Sequence, residues 1–217
     1  MLFRSRERRP VSAPQHRHGE QALLASRPDL ATIAQWVAPG ARVLDLGCGD
    51  GALLRHLADA RSARGYGVEI SHQNIVACVR NGINVIQGDL ESGLAGFESG
   101  SFDVVILSLT LQAMRHTEAI IDEMLRVGRE GIVTFPNFGH WRNRLAVLQG
   151  GMPVSKNLPY QWFDTPNVHL CTIADFEAYC RSHGIAILDR AALSDGAPVG
   201  MLPNLMGEIA VFRFRRG

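Results

Sequence analysis

At 217 residues, 46% of them hydrophobic and 20% charged, the chain is long enough for one of the larger single α/β domains and too apolar to be disordered throughout. Lys+Arg 22 against Asp+Glu 21 leaves a net charge of +1, which argues against a strongly basic nucleic-acid binder, and no apolar run approaches the roughly 20 residues of a membrane span. The cysteines, Cys48, Cys78, Cys171 and Cys180, form no CxxC pair, so neither a disulfide scaffold nor a metal site is expected, and a reduced, cytoplasmic setting is the expectation.

Charge is unevenly spread along the chain. The first twenty residues, MLFRSRERRPVSAPQHRHGE, hold five Arg and two Glu, or +3, while the remaining 197 hold 17 basic and 19 acidic residues, or −2. That head carries little to bury, so residues 1–20 are expected to form a disordered basic arm and residues 21–217 a single domain.

From about Arg27 onward strand and helix patterns alternate. Arg42–Leu46 reads as a short buried strand ending in a Gly-rich turn, followed by a helix with Leu53, Leu54 and Leu57 on one face. Tyr66–Glu69 is the next strand, and Ser71 is placed to cap a helix bearing Ile75, Val76 and Val79 that Gly82 closes. Asn84–Gln87 makes a third strand and Phe102–Ser108 a fourth, whose VVIL core suits burial on both faces. Thr117 is placed to cap a helix with Ile120, Ile121, Met124 and Leu125 inward, which Gly128 ends; Gly131–Phe135 follows as the fifth strand. Thr172 and Asp175 have capping-box spacing at the start of a last helix that Gly184 ends, and Ile185–Leu188 and Glu208–Phe214 supply the final strands. Seven strands separated by helices predict an α/β fold, a doubly wound, mostly parallel, Rossmann-like sheet.

The strongest chemical signal is VLDLGCGDG, Val43–Gly51. Glycines at the end of a first strand let a ligand approach the backbone closely, and Gly47, Gly49 and Ala52 satisfy a loose G-x-G-x-x-[GA] pattern with Glu69 about twenty residues on. That much suits a nicotinamide dinucleotide equally well. The acids of the turn argue otherwise: Asp45 precedes the first glycine and Asp50 opens the helix, where carboxylates oppose a pyrophosphate. A ligand with an ammonium and a sulfonium and no phosphate, S-adenosylmethionine, fits the same turn. QGDL, Gln87–Leu90, closes the third strand, so Asp89 emerges at the same edge as Asp45 and Glu69. Glu69 is then placed to accept from ribose hydroxyls, Asp89 from the adenine amino group, and the Leu90 amide to donate to a ring nitrogen. The competing reading is that each acid merely ends a strand or caps the next turn.

These motifs resemble the class I S-adenosylmethionine-dependent methyltransferases, and within them the methionine biosynthesis MetW family. The segments RPDLATIAQWV, RVLDLGCGDG, GYGVEI, NVIQGDL and SFDVVILSLTLQAM carry the resemblance from Arg27 onward, and it extends to about Arg190. FPNFGHW, Phe135–Trp141, and LPYQWFDTPNVHLCT, Leu158–Thr172, are its most particular parts. The resemblance implies a methyltransferase fold acting in methionine biosynthesis alongside the MetX homoserine O-acyltransferase. It implies Asp45, Gly47, Gly49, Glu69, Asp89 and Leu90 as positions for S-adenosylmethionine or S-adenosylhomocysteine. It supplies no methyl acceptor, so the catalytic residues stay unassigned, and Leu109 departs from the polar residue expected in SxTLQ. The alternative is an active small-molecule methyltransferase independent of the acyltransferase.

Residues 136–171 follow the fifth strand and are expected to form a lid above the crevice. Six of the fifteen aromatic residues, Phe135, Phe138, Trp141, Tyr160, Trp162 and Phe163, fall between Phe135 and Phe163, and four prolines, Pro136, Pro153, Pro159 and Pro166, punctuate residues 136–171. Such a segment suits an acceptor lid, a partner surface or a satellite core. His116, His140, His169, Tyr160 and Asp164 are the candidate proton-transfer groups near this edge.

Overall fold

A computed structural model describes residues 27–217; the expected basic arm lies outside the described residues. One eight-stranded sheet organises the chain, in the order β3-β2-β1-β4-β5-β8-β6-β7. Its strands are β1 (Arg42–Leu46), β2 (Arg64–Glu69), β3 (Val85–Gln87), β4 (Phe102–Ser108), β5 (Gly128–Pro136), β6 (Ile185–Ser194), β7 (Ala197–Pro198) and β8 (Ile209–Arg216). The helices are α1 (Pro28–Trp36), α2 (Ala52–Arg61), α3 (His72–Arg80), α4 (Thr117–Val127), α5 (Trp141–Leu148), α6 (Ile173–Ser182) and α7 (Pro203–Met206). The first five strands pair in parallel, and β8 inserts antiparallel between β5 and β6. The mostly parallel α/β sheet is as expected. The strand count is eight and not seven, because Asp195-Gly196 turns two further residues back to pair with Leu193 and Ser194 at the sheet edge.

Both faces of the sheet are covered, and the period-2 alternation of the central strands sorts their side chains between two cores. Val43, Val104, Ile106 and Ile132 join a cluster with Leu30 and Ile33 of α1, Leu53, Leu54 and Leu57 of α2, and Cys78 of α3. Leu44, Leu46, Val105, Leu107 and Val133 face the other way, onto Ile120, Ile121 and Met124 of α4 and Phe176 and Cys180 of α6.

Local signals held unevenly. Thr172 and Asp175 form the full capping box at α6. Ser71 sits at the N-cap of α3, but its hydroxyl makes no cap; its backbone N–H donates to Glu69 Oε1 at 2.8 Å instead. Thr117 is the first helical residue and not the cap of α4, since its hydroxyl turns back to donate to the Met114 carbonyl. Gly128 is extended (φ −107°) and opens β5, so that strand starts three residues earlier than its apolar run.

Candidate cofactor crevice

β1, β2 and β3 end side by side, and their carboxyl ends deliver Asp45, Glu69 and the Asp89 turn to one edge. The glycine loop crosses this edge with Gly47, Gly49 and Gly51 all at positive φ (71°, 57° and 78°), a conformation L side chains rarely adopt. A Cβ on Gly49 would meet nothing within 4 Å, so the backbone there faces open space. The loop is pinned from beneath: the Gly47 and Cys48 amides donate to the Val68 carbonyl at 2.8 and 3.2 Å, and Cys78 Sγ donates to the Gly49 carbonyl. Gly67 is required for this packing, because a Cβ there would stand 2.2 Å from Cys48 Sγ.

Glu69 has a defined electrostatic role. Its Oε2 accepts the Gly49 N–H at 2.9 Å, and its Oε1 accepts the Ile70 and Ser71 amides at 2.9 and 2.8 Å. Asp45 is buried, and burial pushes its carboxyl up to about 7 against the pull of the Arg27 guanidinium, with the Glu69 charge adding to the rise. Asp50 accepts the Ala52 amide at 3.1 Å and Asp89 the Glu91 amide at 3.0 Å, so both also serve as turn caps. The capping reading and the ligand reading therefore coexist at these two exposed acids. Leu90 opens the short 3₁₀ turn that follows Asp89.

Sequence reasoning missed the support on the β4–β5 side. Arg27 pairs with both carboxylate oxygens of the buried Asp29 at 2.9 and 2.7 Å, and also donates to Ser108 Oγ. Ser108 and Thr134 hydroxyls reach the same Asp29 Oδ2 at 3.1 and 3.3 Å, tying α1 to the ends of β4 and β5. Immediately beyond, Leu109 sits at φ +51° while its N–H donates to Thr134 Oγ1 at 3.0 Å. A left-handed, non-glycine residue at the end of β4 is strained backbone of the kind that collects at functional edges. Pro28 followed by Asp29 was the one local sign of this helix start.

The five candidate proton-transfer groups do not converge as a set, although His116 and His169 share the wall of one cavity. His116 Nδ1 bonds Glu91 Oε2 at 2.8 Å on the surface, and His169 Nε2 lies 3.3 Å from the Arg115 carbonyl. Tyr160 is exposed, and Asp164 caps the Gln161 amide. His140 alone is buried, at the start of α5. Residues 136–171 contain α5 but no long helix, and the segment is anchored by Asn137: its Oδ1 accepts the Gly139 and Ile173 amides, while its Nδ2 donates to the Asn204 and Gly207 carbonyls.

A glycine loop with positive-φ turns, backed by acids at three adjacent strand ends in a doubly wound sheet, defines a class I methyltransferase-like fold. Solved structures agree. The chain superposes on an S-adenosylmethionine-dependent methyltransferase from Mesorhizobium loti with TM-score 0.65 at 18% identity, covering 88% of this chain and 98% of that one. Magnesium protoporphyrin IX methyltransferase from Synechocystis, solved with bound S-adenosylhomocysteine, gives TM-score 0.60 at 18% identity, covering 97% and 90%. The [4+2]-cyclase SpnF gives TM-score 0.63 at 20% identity, covering 90% and 82%, so the fold alone does not fix the reaction. The chain belongs to the family of the methionine biosynthesis protein MetW, whose model matches residues 27–214. It is 35% identical over 203 residues to the bifunctional methionine biosynthesis protein MetXA/MetW of Rhodopirellula baltica; the match takes in 87% of this chain and about a third (32%) of that longer relative. Methionine biosynthesis is thus the setting of the family. No helix among the described residues is long and apolar enough to cross a membrane.

Proposed function

We propose that the protein binds S-adenosylmethionine or S-adenosylhomocysteine in this crevice and works in methionine biosynthesis in association with a MetX-type homoserine O-acyltransferase. What supports the first part is Glu69 accepting the N–H of Gly49, whose backbone faces open space, with Asp45 near the end of the neighbouring strand β1 and Asp89 just past the end of β3. The donor set fits the ligand: acids accept from hydroxyl, amino and ammonium groups, and Coulomb repulsion from the same acids disfavours a pyrophosphate. Glu69 would take a ribose hydroxyl, Asp89 the adenine amino group, the Leu90 amide a ring nitrogen, and Asp45 the ammonium side, with Gly47 and Gly49 giving close backbone approach. When bound, the cofactor supplies an electrophilic methyl group on sulfur; this chain's part is to orient it and to keep water from its buried end. The fusion of MetXA and MetW in one Rhodopirellula chain supports the second part, since fused partners are held at high effective concentration.

Calorimetry with S-adenosylhomocysteine, beside NAD as the control, tests the cofactor. Saturable binding of the first alone is the expected result, and binding of NAD alone would overturn it. Co-purification with the acyltransferase tests the partner, and two independently eluting proteins would remove it.

A further inference from the structure

A second polar cavity, of about 120 Å³, opens at the carboxyl end of β5. β5 is two strands from β1, about 10 Å across the sheet, so this cavity lies beside the cofactor crevice and shares none of its proposed residues. His140 forms part of its wall. The residue is only 5% exposed, and its ring nitrogens, which are not among the sealed unpartnered polar atoms, keep access to this space. Burial holds its imidazole below the usual histidine range, which leaves one nitrogen to donate and one to accept at neutral pH. The ring nitrogens are not sealed off, so they are open to a polar group that enters the cavity.

The rest of the wall carries both signs of charge. Arg142 and Lys156 bring cations, and Asp195 and Glu208 bring acids, the Arg142 and Glu208 groups standing 4.0 Å apart. Asn157 Nδ2 donates weakly to Glu208 Oε2 at 3.4 Å, which leaves that carboxylate further accepting capacity. A simple anion entering here would be repelled by the two acids, and a simple cation by Arg142 and Lys156. A small molecule carrying one charge of each sign satisfies both walls. The volume equals about four water molecules at roughly 30 Å³ each, too small for a nucleoside.

We infer that this cavity binds a short zwitterionic α-amino acid, its carboxylate toward Lys156, Arg142 and His140 and its ammonium toward Glu208 and Asp195. Pro136, Asn137 and His140, from the segment at the end of β5, line this wall.

The test is a titration of the full chain with L-homoserine, followed by calorimetry or ligand-observed NMR. Two truncated probes accompany it, 4-hydroxybutyrate without the ammonium and 3-aminopropan-1-ol without the carboxylate. Saturable L-homoserine binding is expected, with each truncated probe about tenfold weaker or more, as for loss of a charge-assisted hydrogen bond. Lys156→Ala, at an exposed position, and Glu208→Gln should each weaken binding about fivefold or more while the melting curve shows the fold intact. Repeating the titration with excess S-adenosylhomocysteine separates this site from the cofactor crevice. Binding that persists there supports the second cavity, whether or not the cofactor itself binds. Four results would overturn the inference: no saturation, equal binding of either truncated probe, both variants unchanged, or displacement by S-adenosylhomocysteine.

Discussion

The Glu69 carboxylate joins two parts of the crevice, taking the Gly49 amide of the glycine loop on one oxygen and the Ile70 and Ser71 amides at the start of α3 on the other. One side chain thus sets the distance between the loop and the second strand end. These three bonds leave about one of the roughly four acceptor sites of an ionised carboxylate, on Oε2, for a ligand hydroxyl.

Glu69→Ala is therefore expected to loosen the loop and to weaken S-adenosylhomocysteine binding by about 1–3 kcal/mol, the range for hydrogen bonds to a charged acceptor. Asp89→Ala should weaken binding over a similar range and also lose a turn cap worth about 0.5–2 kcal/mol of stability. Isothermal calorimetry beside a melting curve reads both. Wild-type affinity in both variants would remove these acids from the site.

Asp45 makes the crevice sensitive to pH. Its folded-state carboxyl titrates near 7, above the unfolded value of about 3.9, so between those two limits the native state holds the extra proton. The contribution of this group to stability is accordingly full below about pH 4, declines as pH rises toward 7 and is flat above. A ligand ammonium favours the ionised form. Binding of S-adenosylhomocysteine should then tighten from about pH 5.5 to 7, by at most tenfold per unit, with proton release. Asp45→Asn should abolish that slope and be more stable than wild type at pH 8. Titrations in buffers of different ionisation enthalpy count the protons, and a slope surviving in Asp45→Asn would assign it elsewhere.

The first half of the sheet was legible because its signals are local. Val43–Leu46 alternates between two buried faces and runs straight into glycines; Asp45 is next to last in β1, Glu69 is last in β2, and Asp89 lies two residues past β3. The Asp29 cluster was not legible: its partners Ser108 and Thr134 are 79 and 105 residues away in sequence, and no spacing rule reaches that far. Asn137 escaped for the same reason, since its four side-chain partners come from three separate segments. Within residues 136–171, α5 shows no clean apolar stripe: Leu145, Val147 and Leu148 are exposed, while Asn143 is buried. A helix whose polar residue faces inward gives no amphipathic period to read.

Loss of the Asp29 carboxylate should show how much that hidden cluster supports. Asp29→Ala strands the Arg27 guanidinium and two hydroxyls, and breaking such a pair costs about 3 kcal/mol or more. For a domain of this size the melting temperature should fall by about 6–12 °C. Arg27→Ala removes the cation that lowers the Asp45 carboxyl, so the pH slope of cofactor binding should move to higher pH. An unmoved slope in Arg27→Ala would disconnect the two groups.

Trp162 offers a test between partner and packing roles for residues 136–171. Its side chain is 73% exposed and stacks edge-on to Phe163, itself 70% exposed, at a centroid distance of 5.7 Å. Neither ring is buried in this chain, so a satellite-core role does not apply to them. Around them Met152, Tyr160, Val168 and Leu170 are also exposed, and with Phe138 they line a small groove of about 160 Å³. An exposed aromatic pair, with Trp162 lining a groove of mixed apolar and polar side chains, has the composition of an interface anchor, and truncating such an anchor commonly costs about 2 kcal/mol or more, near thirtyfold in affinity. Trp162→Ala should therefore weaken acyltransferase association by about that factor. It should leave S-adenosylhomocysteine affinity at the wild-type value and, as a surface substitution, shift stability by no more than about 0.5 kcal/mol. A lid that closes over an acceptor instead predicts a mutant that keeps its partner and loses methyl transfer. Pull-down, calorimetry and a melting curve on this one variant separate the two, and undiminished association would take the Trp162–Phe163 pair out of the interface.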